Sequence, residues 1–476
     1  MKKVLTIFVV TIVLFLSLGI DTSPAYAYAY DTDFISVVHY QNIGNAPATI
    51  TIEFYDSDGY LTDYAPVTML APNAATSLYA GSISGLTAGF QGSAVIKSDQ
   101  PLASTVSQLG EGAVKNTPLS NGFASSEAAS SFLIPTVLKN MFKFHSVFSV
   151  QNVDSETADL KFTFKTITGD EILYTVEDLP AYSSYLVDMG TTPAIPTPEF
   201  NGSVVVEAFK GGTSTPGAIV ATSMELEILG NNAYAFNGVP TDETSSTIYM
   251  PSAVCKFGPN NESTSAYAVQ NTTSAPINVT VSYSNGNVDG PYAIPGYSKR
   301  SFDGCQAGNP VGFLGSAIVT SVGGNIHAVG KVYGGGLYPA HLGFTGGSDT
   351  VALPLVRWTE ANWFNGARQR SYIAVQNIGS ADIPAGEVVV KYYDKDGVLV
   401  GTHELGAIAV GKKANTHPYY LGAVGSEFGY YTDGSTGGGA VVEGPSGSEL
   451  AVVVRVQTYL GGGDSAGEDY EGIPVE

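Results

Sequence analysis

The chain has 476 residues, with 21 Lys or Arg against 43 Asp or Glu and a formal net charge of −22. That balance excludes a nucleic-acid binder, which needs a basic face to displace counterions from phosphates. An apolar share of 44% excludes wholesale disorder, and two Cys exclude both a disulfide-dense scaffold and a cysteine-rich zinc protein.

Lys2 and Lys3 precede an apolar run over residues 4–18, and Pro24 then interrupts any helix. Ala25-Tyr26-Ala27 and Ala27-Tyr28-Ala29 place small residues where a signal peptidase reads them. The run is short for the ~20 apolar residues of a spanning helix. Residues 1–27 therefore read as a cleaved secretory signal peptide. The mature chain stays strongly acidic and shows no further run of membrane length, so a secreted or extracellular location at a bacterial cell surface is expected.

One pattern then recurs four times. Gln-Asn closes an apolar run at Gln41-Asn42, Gln151-Asn152, Gln270-Asn271 and Gln376-Asn377. A second anchor follows as Phe90-Gln91-Gly92-Ser93, Phe200-Asn201-Gly202-Ser203 and Phe313-Leu314-Gly315-Ser316. In the fourth copy Phe428 and a Gly-rich insertion precede Gly439-Ala440-Val441. Ile134-Pro135, Met250-Pro251 and Leu353-Pro354 open the second, third and fourth copies.

Within each copy the apolar period is two. Val38 and Tyr40 share a face with Asn42, and Ile50, Ile52 and Phe54 follow the same rule in the next run. Such alternation predicts strands with one face in a core. Asp56-Ser57-Asp58-Gly59 and Asp394-Lys395-Asp396-Gly397 are hairpin turns, and Pro72, Pro180, Pro295-Gly296 or Gly411 marks a second turn. About seven strands per copy and no amphipathic helix predict an all-β chain of four tandem immunoglobulin-like β-sandwich units. The expected bounds are 30–110, 132–240, 247–345 and 351–476, with 111–131 as a linker. Short polar joins predict units strung like beads.

The Asn42-Ile43-Gly44 and Asn377-Ile378-Gly379 steps, the later Asp-Gly hairpin and the Pro-Gly turn resemble the CARDB-type and related immunoglobulin-like adhesion repeats of secreted bacterial proteins. Val153-Asp154 and Thr272-Thr273 depart from that pattern. The resemblance implies adhesion, surface structure or module spacing, and it brings no catalytic residue.

Asn42, Asn152, Asn271 and Asn377 share parity with the core, so each is expected to close the following turn by bonding backbone groups. Asp56, Asp58, Asp394 and Asp396 are weak calcium candidates, since the later acidic ligand of a calcium loop is missing. Trp358 and Trp363 are the only Trp, and with Tyr419 and Tyr420 they form a candidate ligand-binding surface. The competing reading places the Trp pair in the joint between the third and fourth units. Cys255 and Cys305 are expected to pair in an oxidising compartment. Gly463-Asp464-Ser465-Ala466-Gly467 spells a nucleophile elbow without the helix that the elbow needs.

No enzyme is expected, and no cofactor beyond weakly supported calcium. The leading function is a non-enzymatic surface or matrix protein in adhesion, structure or module spacing. The alternative is carbohydrate binding by the aromatic fourth unit. The partners expected are surface polymers, glycans, other surface proteins or further copies of the chain; nucleic acid and a membrane span in the mature chain are not.

Overall fold

The computed structural model describes residues 34–110, 117–230, 232–258, 260–360, 368–425, 427–431, 434–461 and 464–475. The signal-peptide reading of 1–27 lies outside them. Among the described residues the chain is nearly all β, in antiparallel sheets, with short 3-10 turns as the only helical elements.

The first unit holds β1 (Phe34–Asn42), β2 (Ala48–Asp56), β3 (Leu61–Leu70), β4 (Ala75–Tyr79), β5 (Gly92–Ser98), β6 (Leu102–Gly110) and β7 (Leu119–Asn121). The second holds β8 (Ser131–Lys139), β9 (Phe144–Asn152), β10 (Ala158–Thr166), β11 (Glu171–Leu179) and β12 (Ser184–Asp188). It ends with β13 (Phe200–Lys210), β14 (Ile219–Glu227), β15 (Ala233–Asn237) and β16 (Val239–Pro240). The third runs through β17 (Thr247–Cys255), β18 (Thr264–Asn271), β19 (Ile277–Tyr283), β20 (Val288–Ile294) and β21 (Lys299–Asp303). It closes with β22 (Phe313–Val322), β23 (Ile326–Tyr333) and β24 (Ala340–Leu342). The fourth comprises β25 (Thr350–Leu353), β26 (Arg368–Asn377), β27 (Val389–Asp394), β28 (Leu399–Glu404) and β29 (Lys413–Thr416). Its last strands are β30 (Gly438–Glu443), β31 (Leu450–Gly461), β32 (Asp464–Glu471) and β33 (Ile473–Pro474).

Each unit is two sheets face to face. The strand carrying Gln-Asn sits in a sheet ordered β4-β1-β6-β7, β12-β9-β14-β15, β21-β18-β23-β24 or β29-β26-β31-β32. The facing sheets are β3-β2-β5, β11-β10-β13-β8-β16, β20-β19-β22-β17 and β28-β27-β30-β25-β33. Alternation explains the cores. Ile50, Ile52 and Phe54 of β2 are buried, and so are their counterparts Leu160, Phe162 and Phe164 of β10. At ~1.5–3 kcal/mol for each large apolar side chain removed from water, these rows supply most of each unit's stability.

Phe428 answers for the blurred fourth anchor. Its ring meets Tyr392 edge-on at 5.8 Å, as Phe200 meets Phe164 at 5.9 Å and Phe313 meets Tyr283 at 6.1 Å. The insertion lets a more distant Phe fill the same place.

The expected string of beads is instead a closed ring, in which each unit's second-strand turn abuts the next unit. Gly59 lies against Pro180 and Ala181, and Gly169 faces Gly296 and Ser298. Lys412 donates to the Ser284 carbonyl. Gly397 then lies against Pro72 and Ala74, which brings the fourth unit back to the first. The short strands β7, β15, β24 and β32 pack in succession around the inside. Their polar contacts run from unit to unit, with Asn237 Nδ2 donating to the Asn121 carbonyl at 3.1 Å and Asn121 Nδ2 to the Glu471 carbonyl at 2.9 Å. Leu119 is buried in the fourth unit's core, and Tyr338 packs against the second unit's. The stretch 111–131, read as a linker, thus contains β7, a strand of the ring's inner face; 111–116 fall outside the described residues.

Candidate functional site

The recurring polar residues were the first candidates, and the structure gives each a local task. Asn42 Nδ2 donates to the carbonyls of Ala46 and Leu70 at 2.8 and 2.9 Å, and its Oδ1 accepts from Gly44 N–H at 2.9 Å. Asn152, Asn271 and Asn377 repeat this, each donating to the carbonyl four residues on at 2.8 Å. Their oxygens accept from Asp154, Thr273 and Gly379 N–H. Every donor of a buried amide is therefore used on backbone, and glycine is unnecessary at the accepted N–H.

The partner Gln works at the seams between units. Gln270 Nε2 donates to Ser203 Oγ of the preceding unit's anchor at 2.6 Å. Ser93 Oγ reaches across to the Tyr182 carbonyl at 2.6 Å. The acceptor turn carries a positive φ at Asn73, Tyr182, Tyr297 and Gly411, and the Tyr182 and Gly411 carbonyls accept from the neighbouring unit. In the fourth anchor Gly439 stands in the Ser position, and a Cβ there would come within 2.8 Å of the Gln41 side chain.

Buried charge fills the same seams. Between the second and third units Lys331 meets Glu225 at 2.6 Å, and Lys299 donates to Thr136 Oγ1 at 2.9 Å. Burial and the Lys331 charge bring Lys299 down to about 7. In the fourth unit Arg455 holds Asp469 by two bonds of 2.8 Å, and His341 of the third lies 3.3 Å from the same carboxylate. Burial likewise takes Lys413 down to about 7. Where the ring closes, His39 lies between Ser77 Oγ and Ser107 Oγ at 2.7 and 2.8 Å. Burial, then the Arg357 charge, holds it well below the usual histidine range.

The aspartates proposed for calcium are turn residues. Asp56 Oδ1 accepts from Asp58 and Tyr60 N–H at 3.0 and 2.9 Å, and Asp394 Oδ1 from Asp396 and Val398 N–H at 2.9 Å each. Among the described residues no cluster of three His, Cys, Asp or Glu is placed to hold a metal. Cys255 and Cys305 are disulfide-bonded at 2.08 Å, tying β17 to the loop after β21. Ser465 of the elbow-like motif belongs to strand β32, not to a strand-to-helix turn.

The aromatic candidates converge. Beyond β25 the chain bridges Phe428 through Trp358 N–H, at 2.8 Å, and this fixes the indole at one end of the fourth sandwich. Trp358 Nε1 donates to Glu360 Oε1 at 3.0 Å, and Glu360 also accepts two bonds from Arg370, whose guanidinium lies 4.8 Å from the indole centroid. Trp358 stacks on Tyr419 at 5.4 Å and on His417 at 4.6 Å; His417 stacks on Tyr420 at 4.2 Å, and Tyr420 on His403 at 4.4 Å. Four of these rings stack in series as a ladder, Trp358, His417, Tyr420 and His403, and Tyr419 lies beside His417 at 6.4 Å while also stacking on the indole. Burial lowers both imidazoles, His417 further by the charges of His403 and Arg370, which favours their neutral forms.

Trp358 is itself only 5% exposed, whereas Tyr419 and Tyr420 are 52% and 57% exposed. Its contacts lie within the fourth unit, which corrects the joint reading: the indole props the ladder. Trp363 lies outside the described residues. Sequence reasoning missed His417, His403 and Glu360; the contiguous His417-Pro418-Tyr419-Tyr420 was the available signal.

No family model and no curated protein matches the chain. Among solved structures, a tetra-tandem repeat in the extending region of a large adhesion protein aligns over 94% of this chain and 97% of that one, at 13% identity and a TM-score of 0.12. A likeness at that level carries no argument about fold or function.

Proposed function

We propose that this is a secreted, non-enzymatic cell-surface or extracellular-matrix protein, built of four immunoglobulin-like units and acting in adhesion or as a structural module. One observation carries the reading: the polar residues that recur in every unit are engaged in turns and seams. Asn closes a turn, Gln and Ser bridge neighbours, and Gly admits close approach. The repeats thereby build a rigid four-unit ring whose outer loops are free to differ. The test is protease shaving of intact cells together with analysis of the culture medium. The mature chain is expected outside the cell or on its surface; an intracellular chain with residues 1–27 attached overturns the reading.

A second reading rests on the exposed Tyr419 and Tyr420. Their flat faces, backed by a ladder of stacked rings, suit the apolar face of a sugar. A glycan array comparing the intact chain with Tyr419→Ala and Tyr420→Ala separates the two readings. Glycan binding that both variants abolish supports carbohydrate recognition, and no binding by the intact chain removes it.

A further inference from the structure

On the side away from the inner strands, each unit ends in two sheet edges, and an exposed edge is a template for pairing unless something blunts it. In the sheets that carry Gln-Asn these edges are β4, β12, β21 and β29, and none exceeds five residues. In the facing sheets they are β3, β11, β20 and β28. Pro66 lies in β3 and Pro291 in β20, each without an N–H, and bulges break the register of both strands. β28 is six residues long, carries a bulge near its start, and has Leu421 against Gly401 and Tyr420 stacked on His403. β11 has none of these devices. It runs for nine residues without Pro or Lys, and its bulge lies beyond Val176, so 171–176 is unbroken. Among the described residues it pairs with β10 alone.

This edge is complementary to itself. Thr166 N–H bonds the Asp170 carbonyl where the hairpin turns, and alternation from there aims the N–H and C=O of Glu171, Leu173 and Thr175 away from β10. The side chains of the same three residues are exposed, Leu173 at 62%, while Ile172, Tyr174 and Val176 pack on the unit's core. Tyr174 Oη meets Tyr185 Oη of β12 at 2.7 Å, so the sandwich is closed from within and the edge itself stays bare. A second β11 laid antiparallel with Leu173 opposite itself sets Glu171 opposite Thr175 and Ile172 opposite Tyr174. No like charges then face each other, and Lys165 on the neighbouring strand meets the Glu171 carboxylate. A centre at Tyr174 would oppose Glu171 to Glu177, and a centre at Thr175 would run into the bulge before Leu179.

We propose that a second copy of this chain docks here. The two β11 strands pair antiparallel about a two-fold axis at Leu173, joining two five-stranded sheets into one. Glu171, Leu173 and Thr175 of each copy supply the backbone bonds, and the two Leu173 side chains cover each other on the outer face. The contact is a strip one strand wide, so the dimer is reversible. Each copy carries a net charge of −22, so salt tightens the dimer by screening that repulsion.

The inference holds wherever the chain resides, and its test is independent of the proposed location. The purified chain is followed by sedimentation velocity over a concentration series at low and high salt, with hydrogen exchange read over 171–176. A monomer–dimer equilibrium favoured by salt is expected, with the Leu173 and Thr175 amides protected only in the dimer. Leu173→Lys sets two like charges at the axis and should weaken the dimer by about tenfold or more with an unchanged thermal midpoint. Under oxidised glutathione Leu173→Cys should give a covalent dimer, since residues bonded opposite each other lie about 5.5 Å apart at Cα, within disulfide reach. Thr175→Cys should not. A chain that stays monomeric at every concentration overturns the proposal, and so does a dimer that Leu173→Lys leaves intact. Cross-linking by Thr175→Cys and not by Leu173→Cys moves the axis and overturns the proposed pairing.

Discussion

Ser316 of the third unit and Gln376 of the fourth donate to the same oxygen, the Gly411 carbonyl, at 2.9 and 3.2 Å. One donor comes from each side of a seam, so the turn carrying Gly411 is held by its own unit and by its neighbour. The Tyr182 carbonyl is shared in the same way by Ser93 and Gln151, at 2.6 and 3.3 Å. Two motifs that recur more than 100 residues apart in the sequence are thus the two halves of one joint.

Gln376→Leu should cost about 1–2 kcal/mol, the worth of a buried neutral hydrogen bond plus some loss at its partner. Gln151→Leu should cost less, because that amide is half-buried. Denaturant unfolding of both variants checks the order; equal losses would show that the seams do not differ.

Ring closure rests on glycines that admit close approach. Gly397 has φ +80°, and a Cβ there would overlap the Pro72 carbonyl oxygen of the first unit. Gly397→Ala should therefore disfavour left-handed backbone by about 1 kcal/mol and also wedge the first and fourth units apart. The intact ring should give a radius of gyration near about 22 Å, the value for one compact chain of this length. The variant should scatter as a larger particle. If its radius stays unchanged, the closure contacts are dispensable.

Asn271→Ala removes an amide that donates to Ala275, Ile294 and Pro295 carbonyls. Leaving buried carbonyls unpaired costs about 1–3 kcal/mol each, so a loss of roughly 3 kcal/mol is expected in thermal melts. Asn271→Asp should be no better, since a carboxylate cannot donate to a carbonyl. Full stability in Asn271→Asp would contradict the assigned bonds.

The strands were legible because their signal is local. Alternation in 48–56 or 388–392 needs only a window of a few residues, and the parity of Asn with the core told which way it points. The ring was not legible, because its determinants are ordinary in isolation. Gly397 looks like any hairpin glycine, and nothing near it names Pro72 as its neighbour. β7 is three residues long, too short for periodicity, so its surroundings read as a linker. The aromatic ladder was half legible: Tyr419 and Tyr420 drew notice as a pair. His403 joins them from another strand, and only the fold shows that.

Buried ionisable groups should make stability depend on pH in two opposed windows. Glu468 of β32 accepts from Thr117 N–H across the seam at 2.7 Å, yet burial outweighs that bond and raises its carboxyl to about 8 from an ordinary 4.5. Between those values the folded chain binds a proton that the unfolded chain has released. Stability from this group is therefore complete below about pH 4.5 and falls as pH rises to about 8. Lys299 and Lys413 act in the other direction. Each is lowered to about 7 from 10.5, so the unfolded chain binds more protons between those values and stability rises with pH there. Buried His39 and His327 are lowered and add stability as pH rises toward 6.5, so the Glu468 limb is read as a difference between two chains. Glu468→Gln keeps the shape and the bond from Thr117 but cannot ionise. The wild-type midpoint minus that of Glu468→Gln should fall steadily from pH 5 to 8, while both midpoints gain from the two lysines above pH 8. A difference that stays flat over that window would move the acid limb to another group.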